Sequence, residues 1–270
     1  MTYQSAEALR DLHALVIDMD GVLWRGNTPM PGLADFFDLL RGRPVAFRLA
    51  TNNSSKTPQQ YVAKLASLGV QVAPEEILTS AIATAQYLAA RAPGALVYPI
   101  GEDGVRQALL DHGLRLSEGG QADFVVSGWD HQISFAKLSE ATLLIRAGAE
   151  YIGTNPDRTW PSERGLLPGT GATLAYLQAA TDVQPLIIGK PERHMFDAAL
   201  SAMGTDPAHT AMLGDRLETD ILGGQRAGLR TILVLTGISD EAALAASPIK
   251  PDWVFQDIQE LTRAWRMLPA

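Results

Sequence analysis

Asp18 and Asp20 stand one residue apart, directly after the apolar run "ALVI" and just ahead of Gly21. Two like charges this close repel, and burying either one uncompensated is expensive. Three further polar sets follow other apolar runs: Thr51-Asn52-Asn53-Ser54-Ser55, Gly189-Lys190-Pro191, and Gly214-Asp215 with Asp220 a helical turn beyond. Taken singly, each has an ordinary reading, a helix cap or a turn. Together they hold the parts that phosphoryl transfer requires. Carboxylates supply oxygen ligands for a hard divalent cation, which removes their repulsion; magnesium suits a site of a few carboxylates, waters and a phosphate oxygen. A carboxylate beside that cation can attack phosphorus and form an aspartyl-phosphate. Thr51 and the backbone N–H groups at the following helix start can hold phosphate oxygens, and Lys190 can neutralise charge on the transferring group.

These residues need a scaffold that brings them to one edge. Short apolar runs alternate with amphipathic stretches: strands are predicted at His13–Ile17, Pro44–Ala50, Pro185–Ile188, Thr210–Leu213, Arg230–Leu235 and Trp253–Phe255. Helices are predicted at Leu33–Leu40, Pro58–Leu68, Met195–Met203 and Ile221–Ala227, with Gly69, Gly204 and Gly228 where helices should stop. Alternation of this kind implies an α/β fold whose parallel sheet is covered on both faces, with ligands bound beyond the carboxyl ends of the strands. The middle of the chain carries strand-like "GALVYPI", "ADFVVSG" and "AEYIGTN" and helix-like Gly104–His112 and Phe135–Ala147. That is enough for an independent α/β module interrupting the first sheet. The predicted division is a core of residues 1–79 plus 184–270 and an inserted module of residues 80–183.

Composition narrows the partners. The chain has 270 residues, 46% of them hydrophobic, and a net charge of −8 without a basic run, which argues against a nucleic-acid partner. It has no cysteine, which removes disulfides, thiolate chemistry and cysteine-ligated zinc, and its five histidines show no metal-binding spacing. No early apolar segment reaches the length of a membrane span and the first residues lack a signal-peptide pattern, so no membrane partner and a cytoplasmic setting are expected.

"DMDGV", the Thr51 of "TNN", Lys190 of "IIGKP" and "GDRLETD" resemble, in that order, the four motifs of the haloacid dehalogenase superfamily. "TNNSSKT", "TNPDRTWPSERGLLPGTG" at residues 154–171 and "IIGKPE" are similar to its subfamily IIA, the NagD-like or 4-nitrophenylphosphatase-like branch. The resemblance implies a Rossmann-like parallel sheet core with an inserted α/β (type C2) cap domain that shapes the substrate pocket. It implies Asp18 as nucleophile and Asp20 as the acid/base that protonates the leaving oxygen and then activates water. Thr51 and Lys190 would bind phosphate, Lys190 also steadying Asp18. Asp18, the backbone carbonyl of Asp20 and Asp215 would hold Mg2+, with Asp220 orienting that shell. The expected activity is a Mg-dependent phosphatase acting on a small phosphorylated metabolite: a sugar phosphate, a nucleotide or an aryl phosphate such as 4-nitrophenyl phosphate. A homodimer through the cap is a further arrangement the resemblance suggests.

Other readings stay open at this level. The same motifs serve a phosphotransferase, and carboxylates with Thr and Lys at strand ends also occur in receiver-like phospho-acceptor domains and metabolite sensors, although Asp20 and the insertion speak against those. Asn52 and Asn53 either lend amides to phosphate or Asp20, or shape a turn. Asn155 and Asp157 of "TNPD" sit near the site entrance or in an ordinary turn. Trp129 and His131 of "SGWDHQ" lie above the substrate or in a surface turn. "GTGATL" reads as a loop into a helix. Arg48, a charge inside "VAFRLA", either faces outward or pairs with a carboxylate.

Overall fold

The computed structural model describes residues 3–43, 45–162 and 165–269. Pro44, at the head of a predicted strand, and Glu163 and Arg164, inside the "TNPDRTWPSERGLLPGTG" stretch, lie outside them. The chain divides into two compact units, one of Met1–Thr51, Tyr61–Leu78 and Pro191–Ala270, the other of Asn52–Gln60 and Thr79–Lys190.

The first unit is built on a six-stranded sheet with the spatial order Trp253–Phe255, Arg230–Val234, Thr210–Gly214, Ala14–Ile17, Ala46–Thr51, Ile77–Thr79. Strand Ala14–Ile17 runs parallel to both neighbours, pairing Ile17 with Leu213 on one side and Leu49 on the other. All four of its residues are buried, as a central parallel strand covered on both faces requires. One face packs Leu15, Ile17, Phe36, Phe37, Leu261 and Trp265 into the main core. Helix Leu33–Gly42 follows the predicted pattern and buries Leu33, Phe36, Phe37, Leu39 and Leu40. Helix Arg193–Met203 ends on Gly204 at φ 64°, the left-handed geometry that glycine adopts without a Cβ penalty.

The second unit has its own five-stranded sheet, ordered Leu186–Ile187, Glu150–Gly153, Phe124–Ser127, Leu96–Ile100, Arg115–Leu116, with parallel pairing throughout. Helices Asp103–Asp111 and Phe135–Arg146 lie where the sequence pattern predicts them, and Thr170–Thr181 continues "GTGATL" as a helix.

Two elements differ from their sequence reading. The run Pro185–Ile188, predicted as a strand of the first sheet, contributes Leu186–Ile187 to the edge of the second, beside Ile152 and Gly153. A short apolar run carries the same pattern in either sheet, so hydropathy does not assign its partner. The predicted helix Ile221–Ala227 is preceded by a π-helical turn, Leu217–Ile221, that runs into Leu222–Arg226. Arg48 is half-buried and meets no carboxylate among the described residues: it donates to the carbonyls of Phe47 and Ala202, both at 3.0 Å. Ala202 lies in the last turn of helix Arg193–Met203, where the carbonyls lack helical partners and the dipole favours a cation. Among the described residues no helix is long and apolar enough to cross a membrane.

Candidate active site

The central strand extends its ladder one residue beyond Ile17, with the Asp18 amide donating to Leu213 O at 2.8 Å. The chain then turns tightly. Val22 and Leu23 N–H both donate to Met19 O, and Gly21 N–H donates to Trp24 O at 2.8 Å. Gly21 has φ +88°, and a Cβ there would come within 2.6 Å of the Asp215 carboxylate. A side chain at Gly21 is thus excluded twice, by backbone conformation and by the acid it faces. The turn places Asp20 against Trp24, whose indole N–H donates to Asp20 Oδ1 at 2.7 Å.

Asp215 follows strand Thr210–Gly214 and is fixed by the next loop. Ile238 N–H donates to its Oδ2 at 2.7 Å, and Ser239 N–H donates to its backbone carbonyl at 3.0 Å. A Cβ at Gly237 would overlap its carboxylate, so this loop approaches only because residue 237 has no side chain. Asp220 projects from the π turn, its Oδ2 accepting the Arg216 N–H at 3.0 Å. Each of Asp18, Asp215 and Asp220 offers a carboxylate oxygen, and these oxygens lie within 4.8 Å of one another. Asp220 is therefore in the same cluster as the other two.

Three largely buried carboxylates this close fit a hard divalent cation, which would offset their mutual repulsion. Their oxygen-only donor set matches magnesium better than zinc or a soft metal.

Thr51 ends strand Ala46–Thr51 and is buried. Its side chain lies near that of Tyr61, a residue of helix Pro58–Ser67 whose hydroxyl is buried. Burial, and then the neighbouring charge of Asp20, push the Tyr61 phenol well above the usual tyrosine range; the Thr51 hydroxyl opposes this, and Asp18 adds to it. Sequence reasoning misses both Tyr61 and Trp24. Each occupies an apolar position of its element, where an aromatic residue reads as core, and spacing to a carboxylate is the only signal available.

In the second unit, Asn52 grips Lys190. Its Oδ1 accepts the Lys190 amide at 2.9 Å, and its Nδ2 donates to Lys190 O at 2.9 Å and Asp157 Oδ2 at 3.1 Å. The Asn52 carbonyl in turn accepts from Asn155 Nδ2 and Ser80 Oγ, both at 2.7 Å. The structure thus gathers Asn52, Lys190, Asn155 and Asp157 into one network, and Asn155 is buried within it. Asn53 Oδ1 accepts from Ser55 N and Oγ, the pattern of an Asx turn. Ser54 Oγ accepts the Trp129 amide at 3.0 Å. Trp129 packs against Trp160 at 4.7 Å and against His131 at 4.2 Å, and the His131 ring pairs with Glu102.

Comparison with known proteins places the chain in a family. Residues 15–115 match the family of haloacid dehalogenase-like hydrolases, and residues 187–261 match a second model of the same kind, described as HAD-hydrolase-like. An acid sugar phosphatase of Staphylococcus epidermidis is 40% identical over 250 residues, covering 93% of this chain and 96% of the relative. The crystal structure of a 4-nitrophenylphosphatase from Thermotoga maritima is similar at a TM-score of 0.92 and 34% identity, covering 96% of this chain and 99% of that one. NagD from E. coli K-12 is similar at a TM-score of 0.86 and 33% identity, covering 92% and 98%. Motif order, fold and near full-length similarity converge: the chain belongs to the haloacid dehalogenase superfamily, in its NagD-like subfamily IIA, and is a phosphoric monoester hydrolase.

Proposed function

We propose that this enzyme hydrolyses small phosphorylated metabolites, sugar phosphates foremost and aryl phosphates such as 4-nitrophenyl phosphate as well, through an aspartyl-phosphate on Asp18 with Mg2+ as cofactor. The observation that carries the reading is the cluster of Asp18, Asp215 and Asp220, with Asp20 two residues from the first of them. The names of the similar proteins support the substrate class.

In this reading Asp18, Asp215 and the Asp20 carbonyl would hold the cation, with Asp220 orienting that set. When bound, the cation offsets the negative charge of acids and phosphate together. An Asp18 oxygen forms a bond to phosphorus as the ester P–O bond breaks. The departing oxygen takes a proton from Asp20, which then accepts a proton from the water that attacks phosphorus and releases Asp18. One carboxylate serves both steps because the second reverses the proton demand of the first. Thr51 donates its hydroxyl to a phosphate oxygen, and Lys190 offsets charge on the transferring group. Asn52 acts by holding the Lys190 backbone, and Asn53 by shaping the loop that follows Thr51. The second unit takes the part of the substrate-selecting cap, and within it Asn155 and Asp157 brace Asn52 and so the grip on Lys190.

A phosphate-release screen across phosphorylated metabolites with Mg2+ tests this. Release of inorganic phosphate from sugar phosphates and 4-nitrophenyl phosphate, abolished by EDTA and restored by Mg2+, is the expected result. Transfer to an added alcohol without release would establish a phosphotransferase instead, and activity indifferent to EDTA would remove the metal.

A further inference from the structure

We propose that Trp24 is a positioning residue for Asp20: its indole N–H holds Oδ1, so that Oδ2 is the oxygen that delivers the proton to the leaving group. The proposal rests on the reading of Asp20 as general acid. It assigns a role to a residue that would otherwise count only as core.

The contact is short and enclosed. Trp24 Nε1 lies 2.7 Å from Asp20 Oδ1, and Trp24 has no solvent exposure. The indole N–H is a donor only. An oxygen that already accepts from it is the wrong place for the carboxyl proton, because the hydroxyl oxygen of a carboxylic acid is the poorer acceptor. Oδ2 is therefore the oxygen left to face the leaving group. A phenylalanine would fill the core without a polar atom, so packing alone does not explain why the one polar group of a buried indole points at this carboxylate.

Trp24 is itself held on several sides. Its carbonyl accepts the Gly21 N–H, and its backbone bridges to Asp20 and pairs with Pro29 in a two-stranded hairpin. The Lys64 ammonium sits 4.1 Å from the centroid of its ring. A cation over the π face draws electron density from the indole and makes the N–H a better donor. The hairpin is in turn tied to the loop beside Asp215: Arg25 donates to Thr236 O, and Thr236 Oγ1 donates to Gly21 O at 2.5 Å. Asp20 thus inherits its orientation from the same loop that fixes Asp215.

The consequence appears where the proton matters. As the P–O bond breaks, its electron pair goes to the leaving oxygen. For an alkoxide that pair must be protonated from Oδ2, whereas 4-nitrophenolate departs as a stable anion. Trp24→Phe should lower kcat/KM for a sugar phosphate by about 10–100-fold, the range of a misplaced general acid, and that for 4-nitrophenyl phosphate by no more than about threefold. In an Asp20→Asn background the same change should add nothing. A measurement free of turnover is the 15N-edited spectrum of the protein and its variants, whose other indole resonances report whether each variant is folded. Of the five indole resonances, the one absent in Trp24→Phe should lie downfield and move in the Asp20→Asn variant. Equal losses on both substrates, additive losses in the Asp20→Asn background, or an indole resonance indifferent to residue 20 would each overturn the positioning role alone. Wild-type turnover of sugar phosphates by Asp20→Asn would remove the acid itself, and this proposal with it.

Discussion

Asp18 and Asp20 differ in what touches them, and that difference suits the separate roles proposed for them. Asp18 is in the carboxylate cluster with Asp215 and Asp220, whereas Asp20 faces an indole N–H. Asp18→Asn keeps the shape and loses the nucleophile, so turnover should fall by about 10³-fold or more, with the fold retained by circular dichroism. Asn52 invites a different test. Its side chain makes two bonds to the Lys190 backbone and one to Asp157 within a buried network. Asn52→Ala would strand those groups and should cost about 2–4 kcal/mol, read as a lowered urea midpoint at unchanged slope. The carboxylates, Thr51 and Lys190 are legible from residue type and position after apolar runs. The grip of Asn52 on Lys190 is not, because it joins residues 138 apart and depends on which loop each strand's neighbour supplies.

At the scale of elements, the tight turn after the central strand and the loop around Gly237 do the positioning. Both rely on missing Cβ atoms beside Asp215. Gly237→Ala should displace the Asp215 carboxylate and raise the Mg2+ needed for half-maximal activity by at least about tenfold, as a disturbed ligand support does. A titration of activity against Mg2+ checks it, and an unchanged requirement would mean the loop yields without moving the acid. Long periodic elements such as Leu33–Gly42 and Arg193–Met203 are readable because each buries one apolar stripe. The edge strand Leu186–Ile187 goes to the wrong sheet in a sequence reading because a short apolar run says nothing about its partner. The π turn that carries Asp220 escapes for a related reason: one extra residue per turn is invisible in a hydropathy pattern of five residues.

Across the whole molecule, several buried phenols set an alkaline limit. Tyr61 and Tyr151 are raised chiefly by burial, and Tyr98 shifts the same way. A group whose folded pKa is raised contributes stability that is complete below its unfolded value, about 10 for tyrosine, and that is lost as pH climbs beyond it. The urea midpoint should thus hold steady to about pH 9 and fall above about pH 10, and Tyr61→Phe should shallow that fall. A midpoint unaffected by alkali would show that these phenols ionise without unfolding. The whole-molecule division into two α/β units, each with its own parallel sheet, follows from the same alternation of strand and helix repeated in the middle of the chain.

Covalent chemistry at Asp18 is open to one measurement that does not pass through rates. The enzyme is mixed with a 32P-labelled phosphate ester and Mg2+, quenched in acid and digested, and the labelled peptide is sequenced. A hydroxylamine-labile acyl phosphate is expected on the peptide containing Asp18, absent from Asp18→Asn. Label at another residue, or full turnover by Asp18→Asn, would contradict it.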